Sequence, residues 1–361
     1  MTTIDATILT PGGWIAGRLR HGATVESVDG TPVASPEPPY LLPGFVDAHV
    51  HGGGGADVMA GADAIRTAAA PHARHGTTTM LATSVTAPVD ATEAFLAAAA
   101  EVAAEPATGR ARILGVHAEG PFLNPDKLGA QPPYAIPADP ALMERWLSLA
   151  PIRVVTLAPE ADPDDRLRDL LMARDVRVQI AHATCAYARA AAWIAAGAGV
   201  THLFNAMSGV AHRGNGIAGA ALAHADYAEI IPDLIHVEPG AILAARRAIP
   251  NLYAVTDATG GAGMPDGDYA LGALTATKKD GAMRLPDGTL AGSALTMDQA
   301  LRNLVAIGLP LDEAARRVST LPADWLGETG IGRLALGAAA DMVLLDADLT
   351  VRRVLIAGKE I

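Results

Sequence analysis

The stretch Tyr40-Leu41-Leu42-Pro43-Gly44-Phe45-Val46-Asp47-Ala48-His49-Val50-His51 decides the reading of this chain. It is an apolar run that ends in two histidines and then in Gly52-Gly53-Gly54-Gly55. Residues i and i+2 of a strand face the same side, so the imidazoles of His49 and His51 can reach one point. Runs of this type recur downstream, at residues 77–81, 113–116, 154–157, 176–180, 200–204, 229–235 and 252–255. With 45–50 they make eight strand candidates. Between most of them lie Ala-, Leu- and Arg-rich segments long enough for helices, such as 91–104, 140–148, 164–173, 186–196 and 240–248. Alternating strands and helices imply a parallel sheet, and eight units fit a closed (β/α)8 barrel of the usual size, about 250 residues.

Outside that region the pattern changes. Residues 4–9, 14–19 and 24–28 read as short strands, followed by a Pro-rich stretch at 32–39, and residues 337–345 and 350–356 read as strands again. The expected class is therefore α/β: a TIM-like (β/α)8 barrel over 44–326, with a small β-sandwich built from 1–43 and 327–361.

Composition narrows the function. The chain has 361 residues, a net charge of −12, eleven histidines, and Cys185 as its one cysteine. One cysteine excludes a disulfide framework. The acidic balance argues against a nucleic-acid partner, which selects for a basic face. The first residues show no basic segment leading into an apolar run, and Arg74, Glu101 and Arg189 interrupt the Ala-rich stretches before the roughly 18 residues a membrane helix needs. A cytoplasmic protein without membrane or nucleic-acid partners is expected.

Barrel enzymes place their chemistry at the C-terminal ends of the strands. Here those ends carry His49 and His51, His117 and Glu119, His182, His202, His236 and Asp257. Histidines and carboxylates gathered in one place suit a hydrolytic divalent ion. A lone histidine at a strand end is usually a packed or solvated group, but six such ends in one barrel are hard to explain as packing, because buried polar groups need partners. His21, His72, His75 and His224 fall outside the pattern. His117 reads as a supporting group beside Glu119.

The 42–51 segment resembles the first-strand signature of the amidohydrolase superfamily. The segment His117-Ala118-Glu119-Gly120-Pro121, running on to Gln131, is more specific. Taken with 154–160, Thr201-His202-Leu203-Phe204-Asn205-Ala206-Met207, 255–259, 288–297 and 332–342, it is similar to the N-acetylglucosamine-6-phosphate deacetylases, over nearly the whole chain. The resemblance implies Glu119, His182 and His202 as ligands of one ion. His49 and His51 would hold a second, bridged by Glu119, with zinc, iron, manganese or cobalt as the metal. It implies Asp257 as the acid/base carboxylate beside the metal. Gln131, Asn205, Ala206, Arg213 and His236 would contact an amino-sugar phosphate, Arg213 reaching the neighbouring site of a homodimer. Many superfamily members bridge two metals with a carboxylated lysine on the fourth strand. The four lysines here, Lys127, Lys278, Lys279 and Lys359, all lie away from 154–160. That disfavours a dihydroorotase-like or hydantoinase-like reading.

Three positions depart from the family pattern. Gln131 stands where many members have histidine. Arg213-Gly214-Asn215-Gly216 replaces Arg-Glu-Pro-Gly, and Pro232-Asp233-Leu234 replaces Ala-Asp-Gly. Alternative substrates are N-acetylgalactosamine 6-phosphate, an unphosphorylated N-acetyl sugar or an N-acyl-D-amino acid. A non-catalytic scaffold of the same fold is the remote alternative.

Overall fold

A computed structural model describes residues 2–361. The decisive stretch forms the first barrel strand, Phe45–Val50, buried along its whole length. Thr77–Thr83, Arg112–Glu119, Ile152–Leu157, Arg177–Ile180 and Gly199–Val200 follow beside it, in chain order, in one parallel sheet. Tyr227–Ile230 and Asn251–Ala254 pair in parallel. The ring closes at two seams. Leu203 donates its backbone N–H to the carbonyl of Glu229 at 2.9 Å, and Asp257 donates to the carbonyl of His49 at 3.0 Å. A helix follows every strand: Ala62–Arg74, Val89–Ala103, Pro140–Leu149, Arg166–Ala173, Tyr187–Ala195, Ile217–His224, Pro239–Ala248 and Met297–Ala306. Strands covered by helices outside and packed side chains inside read as continuous apolar runs, and that is why periodicity located them.

Three expectations change. The sixth and seventh strands are shorter than 200–204 and 229–235; they end at Val200 and Ile230. His236 thus sits in a loop leading to the helix Pro239–Ala248, not on a strand end. Second, the chain after the eighth strand carries strands that the eight candidates did not include. It builds a four-stranded antiparallel sheet from Gly267–Leu271, Leu274–Lys279, Ala282–Arg284 and Leu290–Ser293. The pair Asp280-Gly281, with φ of 50° and 80°, makes the tight turn that an Asp-Gly hairpin signal denotes.

Third, the strands of both termini, expected as a small sandwich, are hydrogen-bonded into one continuous sheet of seven strands. Tyr40–Pro43 lies parallel to Thr2–Thr10 and antiparallel to Met342–Leu345, joining the two ends of the chain. The sheet folds over its own core of Ile4, Ile8, Leu19, Val25, Leu41, Leu334, Met342 and Leu355. Hydrogen bonds from Val25 to Ala338 (2.8 Å) and from Gly337 to Val25 (2.9 Å) join the strand Val25–Pro32 to the segment that leads into Met342–Leu345.

Candidate metal centre and substrate cavity

Six side chains from five strand ends converge at the mouth of the barrel. Oε1 of Glu119 lies 3.1 Å from Nε2 of His182 and 3.0 Å from Nε2 of His202. Its other oxygen, Oε2, lies 3.5 Å from Nε2 of His49 and 3.2 Å from Nε2 of His51. Oδ1 of Asp257 is 3.4 and 3.2 Å from the same two nitrogens. All six residues are buried. The local backbone is strained to deliver them: His182, His202 and Asp257 have φ of 47°, 29° and 50°. Each such conformation costs of order 1–3 kcal/mol and persists where the surroundings fix it, commonly at active sites. Gly120, at φ 81°, turns the chain sharply after Glu119, and a Cβ there would lie 2.3 Å from the Thr86 hydroxyl.

Behind three of the four histidines a hydrogen bond at Nδ1 fixes the side of the ring that carries the proton, whereas Nδ1 of His202 is buried without a partner. Nδ1 of His49 faces Oε2 of Glu229 at 3.0 Å. Nδ1 of His51 faces the carbonyl of Thr83 at 3.1 Å, and Nδ1 of His182 faces that of Lys127 at 3.0 Å. These oxygens only accept, so each Nδ1 carries the proton. In the neutral rings Nε2 then presents a lone pair, and it points at carboxylate oxygens and at another imidazole: 3.1 Å separates Nε2 of His49 and His51, and 3.2 Å those of His182 and His202. Lone pairs converge in this way around a cation. Ligand atoms of a four-coordinate ion with bonds of about 2.0 Å stand about 3.3 Å apart. The donor set therefore fits a divalent metal, with Glu119 offering one oxygen to each histidine pair. Without a cation the cluster recruits protons. Burial opposes protonation of His51, but hydrogen bonds to Asp257 and Glu119 prevail and raise it to about 9. Burial likewise opposes ionisation of Glu119, and the charge of His49 together with hydrogen bonds from His182, His202 and His49 outweighs it, holding the carboxyl well below its ordinary range.

A cavity of about 590 Å³ opens above this cluster. Gln131, Asn205, Ala206 and His236 line it. Gln131 donates an amide N–H to Oε2 of Glu119 at 2.6 Å. His236 pairs with Asp233 at 2.7 Å, which raises its pKa above the ordinary value against the opposing effect of burial. Arg213 does not join them: it is exposed and is absent from the cavity wall. Lys127 and Arg284 also line the cavity and were missed. Lys127 lies inside the quoted 117–131 motif, and Arg284 comes from the unforeseen antiparallel sheet.

The other histidines have separate partners. His117 bonds the carbonyl of Ala48 (3.0 Å) and the hydroxyl of Thr156 (2.7 Å), and burial lowers its pKa to about 4. His72 bonds Gly52, His75 bonds Asp298 and His224 bonds Tyr187. His21 bonds the carbonyl of Gly22, and His212 is exposed. Cys185, whose thiol burial pushes up to about 12, is absent from the cavity wall.

A parallel eight-stranded barrel with histidines and carboxylates gathered at its mouth defines a metal-dependent hydrolase class. The amidohydrolase family model matches residues 40–361, and the chain belongs to this family. It is 36% identical to the N-acetylglucosamine-6-phosphate deacetylase of Vibrio furnissii, over 93% of this chain and 87% of the relative. It is 35% identical to the N-acetylgalactosamine-6-phosphate deacetylase of Escherichia coli O157:H7, over 98% and 97%. Among solved structures, the Mycobacterium smegmatis N-acetyl-D-glucosamine-6-phosphate deacetylase, a mutant in complex with N-acetyl-D-glucosamine 6-phosphate, superposes with a TM-score of 0.90. It is 35% identical, over 99% of this chain and 98% of that one.

Proposed function

We propose that this protein removes the acetyl group from N-acetyl-D-glucosamine 6-phosphate, giving D-glucosamine 6-phosphate and acetate. The observation that carries this reading is the convergence of imidazole lone pairs on Glu119 and Asp257 beneath a cavity lined by Gln131, Asn205, Ala206 and His236. The relatives' substrates agree in class.

His49, His51, Glu119, His182, His202 and Asp257 would hold two divalent ions, drawn from zinc, iron, manganese or cobalt. Bound there, such ions supply Lewis acidity that activates water and polarises a carbonyl. Asp257 accepts the water proton as attack proceeds and returns it to the leaving nitrogen. Its carboxylate oxygen lies 3.4 and 3.2 Å from Nε2 of His49 and His51, beside the water that such an ion would activate. Gln131, held in place by the backbone N–H of Thr86 at 2.6 Å, turns its amide toward the acetyl oxygen. His236 and the backbone around Asn205 and Ala206 hold the sugar phosphate. The exposed Arg213 reaches the neighbouring cavity of a homodimer, its planar donor fork matched to phosphate. The working division is a catalytic barrel at 44–326 and a terminal β domain at 1–43 and 327–361. Among the described residues no helix is long and apolar enough to cross a membrane; a cytoplasmic location goes with the small phosphorylated substrate.

Acetate release from N-acetylglucosamine with and without the 6-phosphate, and from N-acetylgalactosamine 6-phosphate, with each divalent metal added, tests the assignment. Fast turnover only of the glucosamine phosphate supports it. Equal turnover without phosphate would overturn it. The Escherichia coli relative favours one second reading, the galactosamine epimer, and faster turnover of that substrate would select it.

A further inference from the structure

The barrel interior below the metal centre holds a carboxylate that none of these roles uses. Glu229, on the strand Tyr227–Ile230, is wholly buried. Its Oε2 accepts from Nδ1 of His49 at 3.0 Å and from the backbone N–H of His202 at 3.2 Å. Its Oε1 accepts the hydroxyl of Tyr253 at 3.3 Å. Tyr253 in turn receives an amide N–H from Gln179 at 2.6 Å, and the Gln179 oxygen takes the hydroxyl of Thr201 at 2.9 Å. The carboxylate is thus held directly by groups from three other strands or strand ends, with Gln179 and Thr201 behind Tyr253.

We propose that Glu229 is a positioning residue that fixes His49 as a metal ligand and ties it to His202 in the other histidine pair. The role rests on the two-ion reading above. The carboxylate only accepts, so it keeps the proton of His49 on Nδ1 and leaves Nε2 free to face His51, Glu119 and Asp257. By accepting from His202 as well, it holds the strained backbone of one pair in register with a side chain of the other. A carboxylate behind a ligating imidazole also raises that ligand's basicity, and losing such a partner weakens metal binding about 10–100-fold. His117 packs on His49 with ring centres 4.6 Å apart and could complete an ion site with Glu229. Both its nitrogens are already engaged, by Ala48 and Thr156, so this side of His49 is a hydrogen-bonded support.

The test is calorimetric titration of the metal-free protein with Co²⁺, with thermal midpoints recorded as a folding control. Wild type is expected to bind two ions. Glu229→Leu removes the acceptor of both His49 and His202 and should weaken the ion held by His49 about 10–100-fold, with a smaller effect on the ion held by His202. Glu229→Gln keeps one carbonyl acceptor and loses the charge; a smaller weakening of the same ion is expected, and this variant decides the matter if the leucine variant does not fold. Folded variants that bind both ions as wild type does would overturn the role of Glu229 and leave the two-ion reading standing. A single ion in wild type would sink the two-ion reading; the positioning role would then survive only if Glu229→Gln still weakened that ion.

Discussion

Gln131 sits against Glu119 with its amide nitrogen 2.6 Å from Oε2, while its own oxygen receives the backbone N–H of Thr86 at the same distance. The side chain is therefore held at both ends and its amide orientation is fixed. One N–H of the NH2 group goes to Glu119, and the second is left for a ligand in the cavity. Gln131→Leu should lower kcat for the N-acetyl sugar phosphate by about 10²-fold, with KM nearly unchanged, as expected for a lost donor to the developing oxyanion. Steady-state kinetics on the metal-loaded enzyme would show this, and an unchanged kcat would remove Gln131 from the mechanism.

Asp257 lies where a base must lie, 3.2 Å from His51 at the cavity floor. Asp257→Asn keeps the shape and removes the proton acceptor. A loss of about 10²–10⁴-fold in kcat is expected with both ions retained. Elemental analysis of the purified variant beside its rates separates loss of the base from loss of metal.

The pair formed by His236 and Asp233 gives the substrate affinity a pH dependence. Burial disfavours the imidazolium, but the Asp233 carboxylate prevails, so His236 keeps its charge above the ordinary histidine range. A raised imidazole contributes its stabilisation fully below the unfolded value and loses it as pH rises through the folded one. KM for the phosphorylated sugar should therefore climb on the alkaline side of a scan between about pH 6 and 9, with kcat set by other groups. His236→Asn should raise KM and flatten that climb. The same slope in the variant would assign it elsewhere.

Arg213 is exposed in the single chain, so its proposed role depends on a second copy. Mixed dimers test this directly. Arg213→Ala and Asp257→Asn homodimers should both be nearly inactive. Unfolding and refolding them together in equal amounts should restore about a quarter of wild-type activity, because one site in four pairs an intact Asp257 with an intact arginine from its neighbour. No recovery would place Arg213 outside the neighbouring cavity.

Asp298 offers a stability prediction away from the chemistry. Its carboxylate bonds His75 at 3.1 Å and the Thr296 hydroxyl at 2.6 Å, close to the start of the helix Met297–Ala306. Burial would raise its pKa, yet these partners and Arg302 lower it to about 2. The stabilisation is present above the unfolded value of 3.8 and is lost as pH falls toward 2. Asp298→Asn should lower stability by about 2 kcal/mol at neutral pH, with the gap narrowing in acid. Urea melts at several pH values would measure it.

Much of the site was legible because it is local to the strand ends. His49 and His51 share a face by the two-residue period, and Glu119, His182, His202 and Asp257 each close an apolar run. Their meeting point follows from a barrel that gathers strand ends in one place. His236 was singled out by resemblance to a motif, while its loop position was not, because Ile231, Leu234 and Ile235 extend the apolar run past Ile230 despite Pro232 and Asp233. The hairpin at Asp280-Gly281 carried a readable turn signal. Arg284 could not be assigned to the cavity without the sheet that carries it there.

By itself, the sequence determined the order of the barrel strands and helices and the gathering of histidines and carboxylates at one end, since periodicity and i,i+2 spacing are properties of the chain alone. Only the tertiary structure decided which partners stand behind those ligands. Glu229 reads locally as one acidic residue in an apolar run, and only closure of the ring brings its oxygen to His49, 180 positions away in the chain. The same holds for the terminal strands, which form one seven-stranded sheet because Tyr40–Pro43 pairs with Met342–Leu345. Hydrogen bonds across such separations depend on how elements pack against one another, and no local pattern encodes them.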